Sequence, residues 1–346
     1  MRRRRLRVLK NTVMKLLFIG GTGRISAAIT KLCIQMGHQV YLLNRGNKGV
    51  IDDAIHLRGD INNEALVSDI IKGHTFDVVA NFINYTPDQV ARDIRLFAKN
   101  TKQYVFISTT AAYQKPLAHY KVTESTPLAN PYWQYARDKI ACENMLMEAY
   151  RSTGFPVTIV RPSHTYDRNV VPVSIYGKNG QWQVLKRIME NKPVLVHGDG
   201  LSLWTVTHSD DFAKGFVGLL GNIHAIGEAV HITSDESLTW NQIYKLIGDA
   251  LGVTAKPYHV ASDFLIALDP EREGALLGDK SNSIVFDNSK LKRLVPDYCA
   301  TTRFDMGVKW SVETYLKNPE MQKDDPEFDR FTDEVIQACE KAKQWN

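Results

Sequence analysis

The chain has 346 residues, 44% of them apolar, which is enough core for one large α/β unit with an appended lobe. No apolar run approaches the roughly 18 to 20 residues of a membrane-spanning helix, and no secretory-type stretch follows the N-terminus, so the sequence reads as cytoplasmic with no membrane partner. The net charge of +5 hints at nucleic acid, but four arginines stand together at Arg2 to Arg5, and without that leader the chain is nearly neutral.

Met14 immediately precedes the first strand-like segment, so residues 1–13 are expected to be a disordered basic extension or an upstream start rather than a targeting or RNA-binding arm. Buried strands are expected at Leu16 to Ile19, Val40 to Leu43, Val78 to Phe82, Tyr104 to Ile107 and Val157 to Val160, with helical periodicity between them. That alternation predicts a parallel sheet covered on both faces. Cys33, Cys142, Cys299 and Cys339 are too scattered for a disulfide framework or a metal pair, and no HExxH cluster appears, so no metal is expected.

The first strand of KLLFIGGTGRIS (Lys15 to Ser26) runs into Gly20, Gly21 and Gly23 and then a helix beginning near Ile25. Strand, glycine turn and helix N-terminus together suit a pyrophosphate, because backbone amides can approach it and unpaired first-turn amides stabilise its charge. Gly20, Gly21, Thr22, Gly23, Arg24 and Ile25 are therefore candidate cofactor residues. Ser26 stands where a third small residue packs helix on strand, so a slightly wider contact is expected there. At the end of the second strand, where an acidic residue would grip the ribose of NAD, the sequence reads Leu43, Asn44, Arg45, Gly46. The planar fork of Arg45 suits a 2′-phosphate, so NADP is favoured over NAD.

The strand at Tyr104 to Ile107 delivers Ser108, Thr109 and Thr110 to the carboxyl edge of the sheet, where ligands of open α/β folds bind. Tyr135 and Lys139, in YWQYARDKIACEN, are four residues apart and share a helix face. A phenol of ordinary pKa is a poor base at neutral pH, and bringing it to about 7 takes roughly 4 kcal/mol of nearby positive charge. Lys139 and an oxidised nicotinamide can supply it. Beyond Tyr166 an excursion rich in Gly, Asn and Trp runs to about Thr207, a strand at Ala229 to Thr233 is expected to rejoin the sheet, and Asp325 with Pro326 caps a last helix that serves packing. No internal repeat is visible.

With GGTGRIS, Gly59 to Ile61, VFISTTAAYQ (Val105 to Gln114), YARDK and VRPSHTYD (Val160 to Asp167) on the page, the sequence resembles the extended short-chain dehydrogenase/reductases of the NAD-dependent epimerase/dehydratase type, from about Lys15 to Leu316. The resemblance implies a Rossmann-type, doubly wound parallel sheet with a smaller, discontinuous C-terminal substrate lobe. It implies Thr109, Tyr135 and Lys139 as catalytic, with Thr110 the fallback for Thr109. Asp60 and Ile61 would border the adenine, Phe82 and Asn84 would line the nicotinamide side with Ser108, and Arg161 and Pro162 would lead into the substrate site. Residues 14–170 form the dinucleotide domain in this reading, 171–208 and 236–346 the substrate lobe, and 209–235 the return to the sheet. A homodimer is common in the resembling family.

Two departures matter. The acidic pair that follows the catalytic threonine in the family's 4,6-dehydratases is here Thr110 and Ala111, which makes epimerase or ketoreductase chemistry the expectation. The arginine that nucleotide-sugar members place three residues before an aspartate is here Leu276, before Asp279, leaving Arg272 or Lys280 to hold the substrate and putting a nucleotide sugar in question. His164 is a further substrate candidate, as hydrogen-bond donor or acid. In WTVTHSDD (Trp204 to Asp211), Ser209 or Asp210 is expected to cap a helix beginning near Phe212, and the acid pair reads as structural. The function expected is NAD(P)-dependent hydride transfer at a hydroxyl or carbonyl of a sugar or nucleotide-sugar-like small molecule. The rivals are an RNA-binding protein on the same scaffold, as in chloroplast stem-loop-binding relatives, and a cofactor-binding redox regulator. Intact Tyr135 and Lys139 weigh against the RNA-binding rival, so a nucleic-acid partner is not expected, and Tyr135→Phe separates the regulator from an enzyme.

Overall fold

A computed structural model describes residues 13–47 and 49–344 of the chain. The basic leader, apart from Val13, lies outside them. Seven parallel strands form the central sheet: β1 (Lys15–Ile19), β2 (Gln39–Asn44), β3 (Ile55–Arg58), β4 (Val78–Asn81), β5 (Tyr104–Ile107), β6 (Val157–Pro162) and β7 (Ala229–Ile232). Their order across the sheet is β3-β2-β1-β4-β5-β6-β7, so the chain starts in the middle, winds to one edge and returns to build the other. The reversal falls between β1 and β4, where a doubly wound sheet opens a crevice at its carboxyl edge.

Alternation along the strands fixes the two layers. Leu16 and Phe18 face α1 (Arg24–Gln35) through Ile29 and Cys33, and α6 (Ser209–Leu219) through Phe212 and Phe216. Leu17 and Ile19 face α2 (Glu64–Ile71), α3 (Pro87–Phe97) and α4 (Gln134–Thr153) through Val67, Val90, Phe97, Cys142 and Leu146. Strands buried on both sides have no polar alternation, which is why they read as continuous apolar runs. The edge strand β3 is largely exposed and shows no such run.

A second core gathers around Trp182, Trp204, Trp240, Tyr244 and Phe328. It takes in α5 (Trp182–Met189) and α7 (Trp240–Leu251), together with the parallel pair Pro193–His197 and Lys256–Val260. The excursion after Tyr166, for all its Gly, Asn and Trp, thus contains a regular helix and strand. Arg187 of α5 is buried yet bonded at 2.7 Å to both Asp329 and Asp333 of the last helix, Pro326–Lys343. Asp325 caps that helix by accepting from the Phe328 amide at 3.0 Å, as the sequence suggested.

The helix expected near Phe212 starts earlier, at Ser209, because His208 is its N-cap and accepts from the Asp210 amide through Nδ1. Asp211 accepts from the Thr301 and Thr302 amides at 3.1 and 2.7 Å and so pins a distant loop. The strand expected at Ala229 to Thr233 forms over Ala229–Ile232 and pairs with β6.

Candidate active site

Gly20 follows β1 at φ +83°, a conformation costly for any residue with a Cβ, and a Cβ there would stand 2.6 Å from Ile83. The turn packs just as tightly at Gly21, where a Cβ would meet Leu42 at 2.5 Å. Ser26 closes the turn from inside the helix: its hydroxyl accepts from the Gly23 amide at 2.8 Å and donates to the Gly20 carbonyl at 3.0 Å. A residue read only as a packing contact is thus also the turn's fastener. α1 begins at Arg24 with Gly23 as its N-cap, so Thr22, Gly23, Arg24 and Ile25 surround a helix N-terminus at the carboxyl edge of the sheet.

Along the adjoining edge, Asn44 Oδ1 accepts from the Gly46 amide at 2.9 Å, while its Nδ2 is buried with no partner among the described residues. Arg45 and Asp60 approach only to 4.0 Å and are both largely exposed, a pairing worth at most about 1 kcal/mol that leaves the guanidinium free to turn toward a ligand. Ile61 is buried beside them. The glycine turn, the helix N-terminus and the unpartnered Asn44 amide fit a dinucleotide.

Between β4 and α3, Phe82 packs edge-on against Phe18, whereas Asn84 is turned inward. The Asn84 side chain donates to Asp93 at 2.7 Å and accepts from Arg92 at 2.8 Å, within a buried net that includes Asn81 and Tyr104. What Asn84 offers toward the site is its carbonyl, which accepts from Lys139 Nζ at 2.5 Å; the Ile107 carbonyl accepts a second Lys139 bond at 2.7 Å. These bonds fix the ammonium at the ends of β4 and β5, over the rings of Tyr85 and Phe106. Burial lowers Lys139 to about 8, so it still carries its charge at neutral pH.

Tyr135 lies one turn earlier on α4, and the Lys139 ammonium is 5.9 Å from its ring centroid. Burial pushes the phenol up to about 12, and the neighbouring Thr109 hydroxyl opposes that rise. The phenol therefore holds its proton at neutral pH, and bringing it to about 7 would take roughly 7 kcal/mol of added positive charge, more than its ordinary value suggested. Thr109 also accepts from the Ala111 amide at 3.1 Å, which orients its hydroxyl. Thr109, Tyr135 and Lys139 are thus together. Ser108 points elsewhere: it donates to Glu143 of α4, which is bonded through both oxygens to Arg161 at 3.0 and 2.6 Å. Thr110 is buried in the following turn.

On the far wall, β6 ends at Pro162 and a short strand begins at His164. Burial, with Lys280 and Arg24 nearby, lowers His164 to about 3, so it is a neutral hydrogen-bonding group and not an acid. Lys280 is buried and donates to the Ser174 carbonyl at 2.8 Å. Arg272 stands apart, 2.9 Å from Asp269 and over Phe331, in a cavity of 790 Å³ that Lys280 also lines. Sequence reasoning missed Asn130, whose side-chain amide bridges the Ala111 and Gly278 carbonyls at 2.8 Å each, as well as Lys115 and the role of Glu143. A buried lysine or a carbonyl-bridging asparagine has no signature in one sequence, since its partners are remote along the chain.

The model of the NAD dependent epimerase/dehydratase family matches residues 16–233. The chain is 25% identical over 288 residues to 2'-dehydrokanamycin reductase of Streptomyces kanamyceticus, covering 82% of this chain and 80% of that protein. It is 24% identical to a chloroplast stem-loop binding protein of Arabidopsis thaliana over 71% of this chain and 66% of that one, just under two thirds of its length. A solved UDP-glucuronic acid 4-epimerase from Bacillus cereus, in complex with UDP-glucuronic acid and NAD, shares the fold at TM-score 0.69 and 17% identity, over 88% of this chain and 99% of that one. Among the described residues no helix is long and apolar enough to cross a membrane, and no cluster of three His, Cys, Asp or Glu side chains could hold a metal.

Proposed function

Because the chain belongs to the NAD dependent epimerase/dehydratase family, and is thus an enzyme of the extended short-chain dehydrogenase/reductase type, we propose that it interconverts a hydroxyl and a carbonyl on a sugar or sugar-like small molecule through Tyr135 and Lys139. The observation that carries the reading is the Lys139 ammonium held by the Asn84 and Ile107 carbonyls beside a Tyr135 phenol that touches Thr109. A bound nicotinamide would supply or accept the hydride at the substrate carbon. Tyr135 passes the hydroxyl proton, Thr109 holds the substrate oxygen, and the fixed charge of Lys139 eases the phenol's ionisation. His164 serves as a neutral hydrogen-bonding group, and residues 171–208 and 236–346 act as the substrate lobe.

For the cofactor we propose NADP over NAD, held by the glycine turn with Arg45 on its 2′-phosphate; the exposed, weakly paired state of Arg45 supports this. Native mass spectrometry of the purified chain, followed by fluorescence titration with NADPH and NADH, tests it. An empty protein that takes up NADPH, with Arg45→Glu raising the NADPH Kd about tenfold and sparing NADH, fits a reductase with exchangeable cofactor. Retained NAD would reverse the preference and favour an epimerase cycle, and binding of neither nucleotide would refute the whole reading.

RNA binding on the same scaffold has the similarity to the stem-loop binding protein in its favour. A chain lacking residues 1–13 is expected to release a stem-loop RNA at physiological salt, in a filter-binding assay over a salt series. Retention by that core at a Kd below about 10⁻⁶ M would favour RNA binding instead.

A further inference from the structure

Asp279 and Lys280 sit in a single wide turn, Leu276–Lys280, closed by the Ser281 amide on the Leu276 carbonyl at 2.9 Å. Such i→i+5 turns recur at functional sites. Two contacts bring this one to the active site. Gly274 abuts Trp133, where a Cβ would stand 2.3 Å from the indole, and Asn130 joins the Gly278 carbonyl to the Ala111 carbonyl in the turn that carries Thr109.

Two buried ammonium groups, those of Lys280 and Lys115, lie near enough to the Asp279 carboxyl to lower its proton affinity. Lys280 donates to the Ser174 carbonyl, and Lys115 makes one long bond, 3.4 Å to the Tyr113 carbonyl. Both bear on the Asp279 carboxyl, yet among the described residues neither forms an ion pair within 4 Å. Arg272 is already engaged by Asp269 and the Tyr176 carbonyl. Two buried ammonium groups and one carboxylate leave one positive charge unmatched, an unfavourable state until an anion enters.

The neighbouring wall carries unpartnered polar atoms too. Among the described residues Trp204 Nε1, Trp240 Nε1 and His164 Nε2 are buried without partners, in rings that adjoin in series at 5.5 Å and 6.1 Å, and Lys280 Nζ lies 6.0 Å from the Trp240 centroid. An indole nitrogen can only donate.

We infer that the substrate cleft takes a molecule bearing one anionic group, a carboxylate or a phosphate monoester, held by the charge of Lys115 and Lys280, and not a nucleoside diphosphate. The inference rests on the reading above that Tyr135 faces a substrate. Trp204 and Trp240 supply the readout: the full chain is titrated by tryptophan fluorescence, with and without NADP, using glucuronate, glucose 6-phosphate, glucose and UDP-glucose. Glucuronate, glucose 6-phosphate or both should bind at least tenfold tighter than glucose, and which one does so identifies the carboxylate or phosphate source; UDP-glucose should gain nothing further. Lys115→Met and Lys280→Met should each remove the preference. Equal affinity for glucose, no saturable binding by any of the four, a tenfold advantage for UDP-glucose, or an intact preference in both folded variants would each overturn the inference. The wild-type series decides alone if the variants do not fold. Loss of NADPH binding, measured separately, counts against the proposed function and not against this subsite.

Discussion

Tyr135→Phe is expected to lower kcat by ~10²–10⁴-fold, the range spanned by a positioned proton donor, while leaving the Kd for the nicotinamide cofactor within about twofold. The substitution removes one oxygen and keeps the ring that packs 5.0 Å from Trp133 and 6.3 Å from Tyr85, so the helix and its contacts persist. Lys139 keeps both carbonyl partners, since neither bond involves Tyr135. Steady-state rates on a ketone substrate, set beside NADPH fluorescence titrations, check the split. A variant within tenfold of wild type would remove Tyr135 from the chemistry, and a cofactor-sensing regulator would show no dependence on the phenol at all.

Glu143→Leu is expected to cost about 3–5 kcal/mol of stability, the usual consequence of leaving a buried charge without its partner. Glu143 and Arg161 are both buried and form a two-point pair, one from α4 and the other from β6. Arg161 also lies 4.9 Å from the Tyr113 ring centroid, and Tyr113 hydrogen-bonds His231 of β7 at 2.9 Å. Losing the carboxylate therefore strands a guanidinium among rings. The double variant Glu143→Leu/Arg161→Met should recover most of the loss, because an apolar pair needs no compensation. Urea unfolding of the two variants measures this; a double variant no more stable than the single would show that the pair has no such energetic coupling. Since Glu143 also accepts from Ser108, next to Thr109, the single variant should lose activity even where it remains folded.

The parts legible in the sequence are those written in neighbouring residues. Gly20, Gly21 and Gly23 between a strand and a helix, Tyr135 four places before Lys139, and Asp325 before Pro326 each depend on spacing alone. Strands β1, β2, β4, β5 and β6 announced themselves because both faces are buried. The α6 start was misplaced because His208 is an unusual cap, and the inward turn of Asn84 depends on Arg92, Asp93 and Tyr104, which no local pattern groups with it. Asn130, Lys115 and the tryptophan donors were hidden for the same reason: their surroundings come from segments up to 148 positions apart.

The late arrival of β7 also bears on how the chain is made. β6 ends at Pro162 and its neighbour begins at Ala229, after a long excursion through the second core. At ribosomal speeds of ~5–20 residues per second, the nascent sheet presents an open strand edge for several seconds before its last member emerges. Such an edge can recruit a foreign strand. That edge closes only when β7 pairs along β6, with His231 in register beside Arg161.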